Sequence, residues 1–386
     1  MSPRPGPTFP DWPQFDDTER RALDRALNQG QWWRMGGTEV ESFEREFAAH
    51  HGGGHALAVT NGTHALELAL QVMGVGPGTE VIVPAFTFIS SSQAAQRIGA
   101  VAVPVDVDPD TYNIDVAATA AAITPRTRVI MPVHMAGLMA DMDALDKLAS
   151  NAGVQILQDA AHAQGAQWQG RRVGELGSIA AFSFQNGKLM TAGEGGAVLF
   201  PDADTYEKAF LHHSCGRPRT DRRYLHQVAG TNMRMNEFSA AVLRAQLGRL
   251  DAQLAVREQR WTYLSALLSQ IPGVRPQSGD PRADRNPHYM AMFRLPGWSE
   301  ERRNQLVDRL VDAGIPAFAG FRAIYRTPAF WQFGAPGESV DAIAARCPTT
   351  DAISRDCVWL HHRTLLASEQ ALADTATIVA EAVAAG

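Results

Sequence analysis

Short apolar runs alternate with helix-length stretches from Ala56 onward. The runs are Ala56–Val59, Val81–Val83, Val101–Val105, Arg128–Met131, Gln155–Leu157, Ile179–Phe184 and Ala197–Phe200. They are nearly continuous in hydrophobicity and bounded by Gly, Pro and Asp, the pattern of strands covered on both faces. The chain therefore predicts an α/β fold, a mostly parallel sheet with helices on either side. Ahead of these runs, Asp17–Asn28 places Leu23 and Leu27 one helical turn apart and meets a stop at Gly30. Trp32 and Trp33 follow, and the pair could line a pocket or clamp the helix to its neighbour; packing is the expectation, since large aromatics mostly serve burial. Past Asn236 the pattern shifts to two long helices, Glu237–Leu250 and Arg257–Ile271, then a strand over Tyr289–Leu295 and helices over Glu300–Ala313 and Glu369–Ala385. This divides the chain into a large α/β domain over residues 1–250 and a smaller C-terminal α+β domain over 251–386.

Composition removes several function classes. With 35 Lys+Arg against 41 Asp+Glu the 386-residue chain has a formal charge of −6, so a nucleic-acid backbone is not an expected partner. The N-terminus lacks the apolar core of a signal peptide, and no stretch approaches the roughly 20 apolar residues that span a bilayer, so no membrane partner is expected. Cys215, Cys347 and Cys357 form no C-x-x-C pair, which fits a reducing compartment and a cytoplasmic location. Two His/Cys groups, His212-His213-Cys215 and Cys357-His361-His362, match no zinc spacing, and no metal is expected. A serine hydrolase elbow, a P-loop and a dinucleotide fingerprint are all missing.

Lysine is the informative scarcity, because only Lys147, Lys188 and Lys208 occur. Lys147 beside Asp146 and Lys208 after Glu207 read as solvated helix faces. Lys188 is different: an apolar strand delivers Ser183 and then Lys188 into a turn ending Gly193-Glu194-Gly195-Gly196, and another apolar strand follows at once. A desolvated amine has a lowered pKa and becomes both nucleophile and base; a surface lysine on a hairpin is the alternative. Asp159, at the end of the run Gln155–Asp159, could protonate the ring nitrogen of a pyridoxal cofactor or could cap a helix. Thr60-Asn61-Gly62-Thr63-His64 opens an apolar helix directly after a strand, a place where free N–H groups favour a phosphate. Phe86 and Phe88 supply aromatic faces near the same sheet edge, for packing or for stacking on a ring.

Together these segments resemble the DegT/DnrJ/EryC1/StrS aminotransferase family. The likeness runs from Phe43-Glu44 through Asn61-Gly62-Thr63, Pro84–Phe88, Asp106–Asp108, His134–Asp143, Asp159–His162 and Ser183–Gly196 to Asn232–Glu237. It implies a pyridoxal-phosphate-dependent transferase of aspartate aminotransferase fold, fold type I. By that resemblance Lys188 would hold pyridoxal 5'-phosphate as a Schiff base and shuttle protons, while Asp159 would pair with the ring nitrogen. Phe88 would stack on the ring, His162 would lie near its hydroxyl, and Gly62, Thr63 and Ser183 would hold the phosphate. Asn232 would reach the phosphate of a neighbouring subunit's cofactor, which implies a homodimer with shared active sites.

Longer stretches resemble a subgroup that dehydrates and aromatises 5-amino-5-deoxy-3-dehydroshikimate. They are Gln31–Gly37, Ser183–Met190, His212–Arg219 and His288–Arg294. Gln158 and Gln185-Asn186-Gly187 depart from the residues usual in sugar aminotransferases. The expected reaction is that dehydration, and transamination of a nucleotide-linked keto sugar is the alternative; a non-enzymatic scaffold would be indicated if Lys188→Ala changed nothing. Arg217, Arg219 and Arg322 are candidates for the substrate carboxylate.

Overall fold

The computed structural model describes residues 6–334 and 336–385. In chain order the first strands are β1 (His55–Val59), β2 (Glu80–Pro84), β3 (Val101–Val105), β4 (Thr127–Ile130) and β5 (Gln155–Asp159). A small ribbon, β6 (Gln167–Trp168) and β7 (Arg171–Arg172), precedes β8 (Ile179–Ser183) and β9 (Gly196–Phe200). Seven of these form one sheet in the order β1-β9-β8-β5-β4-β2-β3, in which β9 alone runs against its neighbours. All seven expected strands are present, and the fold is α/β with a mostly parallel sheet.

Alternate residues of each strand feed different cores, as a period of two requires. Ala58, Ile82, Ile130, Ile156, Ala180 and Phe182 face one apolar layer. Leu57, Val81, Val129, Leu157, Ala181 and Val198 face the other. Both layers are sealed by helices, so strands β2, β8 and β9 are buried at every position. That double burial is why their sequences read as continuous apolar runs.

The region past Asn236 differs from the expected pair of helices. Glu237–Ser269 is a single helix of 33 residues. The bridging stretch Asp251–Val256 contains neither Gly nor Pro, and buried Leu254 and Arg257 carry the inward stripe from Leu250 to Trp261. The first half of this helix packs into the large sheet's core through Leu243, Leu250 and Leu254, and the second half packs through Trp261, Leu264 and Leu268 into a C-terminal core. That second core lies on an antiparallel sheet, β10 (Arg275–Pro276), β11 (Met290–Arg294), β12 (Ala317–Ala319) and β13 (Cys357–His361), in the order β10-β11-β13-β12. Phe9 of the N-terminal lead also packs there, and Trp12 meets His362 edge to face at 4.4 Å.

The tryptophan pair meets the packing expectation only in part. Trp32 and Trp33 are each 51% exposed. They lie just beyond the end of the helix Asp17–Gln29, where Trp32 donates Nε1–H to the Leu27 carbonyl at 3.2 Å and tilts against Phe238. A turn at the rim leaves most of each ring facing outward.

Candidate active site

Parallel strands in such sheets end on one side, where loops and helix starts converge. There a cavity of about 420 Å³ is lined by residues at the strand ends of the large sheet and on the loops and helix start beside them, including Gly62, Thr63, Asp159, His162, Ser183 and Lys188, and by Tyr289, Met290, Phe321 and Trp359 from the C-terminal part. The cavity therefore lies between the two cores. No single stretch of sequence builds it.

Asp159 closes β5 with its carboxylate inside the cavity wall. Oδ2 accepts the Ser91 hydroxyl at 2.8 Å and Oδ1 accepts the Ala161 N–H at 3.2 Å. Burial raises its pKa, and those two hydrogen bonds and the charge of Lys188 oppose the rise. Ser91 has one hydroxyl proton and gives it to Asp159, so Thr87 Oγ1, 3.0 Å from Ser91 Oγ, is the donor in that contact. No helix follows Asp159 in the structure, which removes the helix-cap reading.

Lys188 lies in the turn after β8, its backbone N–H donated to the Gln185 carbonyl at 2.8 Å. Its side chain keeps some accessible surface through the cavity, but the amine is surrounded by protein, and burial pushes its pKa down to about 8 against the pull of Asp159. Nζ stands 4.4 Å from the centre of the Tyr289 ring. Lys147 and Lys208 are exposed on helices. The surface-hairpin reading of Lys188 fails because the C-terminal part folds over the turn.

The helix Gly62–Val72 starts against Ser183. Asn61 caps it, its side-chain oxygen accepting the His64 N–H at 2.8 Å. A Cβ on Gly62 would fall 2.7 Å from the Ser183 Cβ, so only glycine permits this approach. Gly62, Thr63 and Ser183 thus form one small cradle at a helix start, where the first N–H groups lack intrahelical acceptors. Thr63 donates its hydroxyl to Ser90 at 3.0 Å. Phe88, 57% exposed, lines the cavity and meets Phe321 edge-on.

His162 is stacked on Tyr289 with ring centres 4.4 Å apart. Burial first, and the charge of Lys188 second, hold its pKa well below the usual value, so the ring is neutral. Its Nδ1 is buried with no hydrogen-bond partner. An orphaned nitrogen, a carboxylate, an amine and a phosphate-sized cradle around one cavity are the features pyridoxal phosphate needs, and the residues fit that cofactor.

Several sequence candidates lie elsewhere. Asn232 is exposed, pairs with Ser214 in an isolated bridge and does not line this chain's cavity. Arg217 lies over Tyr224, Arg219 lies between Glu41 and Glu207, and Arg322 pairs with Glu300 at 2.7 Å; none of the three lines the cavity. Gln158 faces the opposite side of the sheet from Asp159, bonded to His134 at 3.0 Å and Ser178 at 2.9 Å. Its departure from the acidic residue usual in sugar aminotransferases therefore falls outside the cavity. Among the described residues no three His, Cys, Asp or Glu side chains converge as a metal site. The sequence reading missed Thr87, Ser91 and Tyr289. Tyr289 lay within a motif stretch, but nothing in its spacing located it beside Lys188.

Comparison with known proteins places this geometry. Over its full length the chain is 77% identical to 3-amino-5-hydroxybenzoate synthase of Amycolatopsis mediterranei (strain S699), all of which is covered. It is 39% identical to the erythromycin biosynthesis sensory transduction protein EryC1 of Saccharopolyspora erythraea, over 82% of this chain and 85% of that protein. A crystal structure of 3-amino-5-hydroxybenzoic acid synthase superposes with a TM-score of 0.98 at 76% identity, covering 99% of this chain and 100% of that one. The DegT/DnrJ/EryC1/StrS aminotransferase family model matches residues 13–379. With the cavity and its lysine in place across that whole span, the chain belongs to the DegT/DnrJ/EryC1/StrS aminotransferase family.

Proposed function

We propose that this chain removes water from 5-amino-5-deoxy-3-dehydroshikimate and lets the ring aromatise to 3-amino-5-hydroxybenzoate, in an ansamycin-type antibiotic pathway. The observation that carries the reading is the full-length 77% identity to the Amycolatopsis synthase. The enclosed Lys188–Asp159 pair is its chemical counterpart.

Pyridoxal phosphate, when bound, supplies a ring that accepts the electron pair left on the substrate's amine-bearing carbon. Lys188 is the base that takes the proton from that carbon. With its pKa near 8, a useful fraction of the amine is uncharged near neutral pH, whereas an ordinary lysine would be almost wholly protonated. The resulting Lys188 ammonium, 4.4 Å from the Tyr289 ring centre, then gives its proton to the neighbouring hydroxyl, which leaves as water. Asp159, held by Ser91 and the Ala161 amide, keeps a proton on the cofactor's ring nitrogen. Gly62, Thr63 and Ser183 would hold the phosphate, Phe88 would stack on the ring, and neutral His162 would offer Nδ1 to the ring hydroxyl. A further proton lost from a ring carbon and one gained by the ketone oxygen make the ring aromatic, which drives the last step.

The active form in this reading is a homodimer in the cytoplasm, in which Asn232 of each copy reaches the other's phosphate. The exposure of Asn232, outside its own cavity, supports this arrangement. Among the described residues no helix is long and apolar enough to cross a membrane. The test is to incubate purified, cofactor-loaded protein with the amino-dehydroshikimate and no amino donor. Aromatic product is expected. Turnover of a nucleotide-linked keto sugar with a donor, and none of the amino-dehydroshikimate alone, would assign the chain to transamination instead.

A further inference from the structure

Arg257 is fully buried on the long helix, yet among the described residues it faces no carboxylate. Its Nε and Nη1 are buried without hydrogen-bond partners. Burial lowers its pKa to about 9, so it remains a cation at neutral pH. A guanidinium kept in such a place without an anion needs a reason, because desolvating a charge is costly. Two contacts account for it. The guanidinium lies over the Trp12 ring at 5.3 Å, and Nη2 is 3.2 Å from Nδ1 of the buried His362.

The second contact decides how His362 is protonated. Arginine can only donate, so Nδ1 of His362 is the acceptor and Nε2 carries the hydrogen. That Nε2 lies 3.0 Å from the carbonyl of Gly187, the residue directly before Lys188. The carbonyl one residue earlier, on Asn186, accepts Trp12 Nε1–H at 3.0 Å. Within the loop, the Gly187 and Lys188 N–H groups both go to Gln185, to its side-chain oxygen and its carbonyl, each at 2.8 Å. The backbone that roots Lys188 is thus pinned from outside by Trp12 and His362 and from inside by Gln185.

We propose that Arg257 and His362 form a positioning relay: Arg257 sets the tautomer of His362, and His362 together with Trp12 fixes the Gln185–Lys188 loop so that the lysine amine stays in the cavity. Neither residue lines the cavity. The relay joins three distant segments, the N-terminal lead, the long helix and the end of β13, to the loop that carries the lysine. The groups facing the amine itself are Asp159, His162 and Tyr289; His362 also tilts against Tyr289 with ring centres 5.8 Å apart and lies beside His361, so exchange in the loop, read beside the spectral midpoint, is what reports the relay. The inference rests on the reading of Lys188 as the cofactor lysine.

The test compares full-length, cofactor-loaded Arg257→Met, His362→Leu and His362→Gln with the native protein by hydrogen exchange of the peptide Phe184–Met190. The pH at which the cofactor's visible band changes is followed in parallel. Gln can still donate to the Gly187 carbonyl, whereas Leu cannot. The expected result is exchange in the loop faster by roughly tenfold in Arg257→Met and His362→Leu, with a displaced spectral midpoint, and near-native behaviour in His362→Gln. Native exchange and an unmoved midpoint in both of the first two variants would overturn the relay, as would equal disturbance in Leu and Gln. If Arg257→Met does not fold, the His362 pair alone decides by the same criterion. A native protein that binds no pyridoxal phosphate through Lys188 would defeat the functional reading instead, and borohydride fixation with peptide mapping identifies that case separately.

Discussion

Replacing Lys188 by Met should stabilise the cofactor-free protein at neutral pH, an outcome opposite to that of most substitutions at a functional site. Burial lowers the amine's pKa from 10.5 to about 8, a drop of about 2.5 pH units. At about 1.4 kcal/mol for each tenfold change in proton affinity, the charged lysine costs the folded state about 3.5 kcal/mol below pH 8. That figure already contains the attraction of Asp159, which opposes burial in setting the pKa, so about 3 kcal/mol of net stabilisation is expected at pH 7. The sign with pH follows from the depressed folded pKa. Between pH 8 and 10.5 the unfolded chain binds the proton and the folded chain does not, so the native protein's deficit shrinks across that window. Urea unfolding of native and Lys188→Met proteins, stripped of cofactor, at four pH values from 7 to about 10.5 measures this, because all other titrations cancel in the difference. A difference that stays constant across the range, or a variant less stable at pH 7, would refute the claim that burial tunes this amine.

Two other substitutions probe groups found only in the structure or in its buried polar pairs. Ser91→Ala removes the hydroxyl donated to Asp159; a hydrogen bond to a charged group is worth about 1.5–3 kcal/mol, so pyridoxal phosphate retention by equilibrium dialysis should fall roughly tenfold or more while the fold persists. Arg34→Met strands Glu44, which Arg34 meets at 2.5 Å in a pair buried on both sides. The cost should be about 3–5 kcal/mol by urea unfolding, whereas replacing both partners with apolar residues should recover much of it.

How much of this was legible in the chain follows from how local each signal is. The strands announced themselves because both faces of the large sheet are covered, which makes most runs nearly continuous in apolar residues. Asp159 and Lys188 stood out because each follows such a strand directly, and lysine is otherwise confined to two solvated helices. The helix start at Gly62 was legible too, since glycine and a capping Asn are chosen by local backbone demands. Ser91 and Thr87 carried no such mark. A serine becomes a partner of Asp159 only when the sheet brings together positions 68 residues apart. Tyr289 and His362 were out of reach for the same reason, since each reaches the Lys188 turn from the C-terminal part.

The unbroken helix Glu237–Ser269 marks the boundary between the two kinds of information. Its sequence specified helix on both sides of Asp251–Val256, but whether that stretch would break depended on the cores at either end, which share one unbroken helix. The chain by itself determined the α/β class and the strand positions, and it singled out Lys188 and Asp159, because periodicity, turn chemistry and residue scarcity act over a few neighbouring positions. Tertiary structure alone decided which hydroxyl holds Asp159, which ring faces Lys188 and which way Gln158 points its contacts. Those are distances between segments far apart in sequence, and only the packing of the two cores against one another sets them.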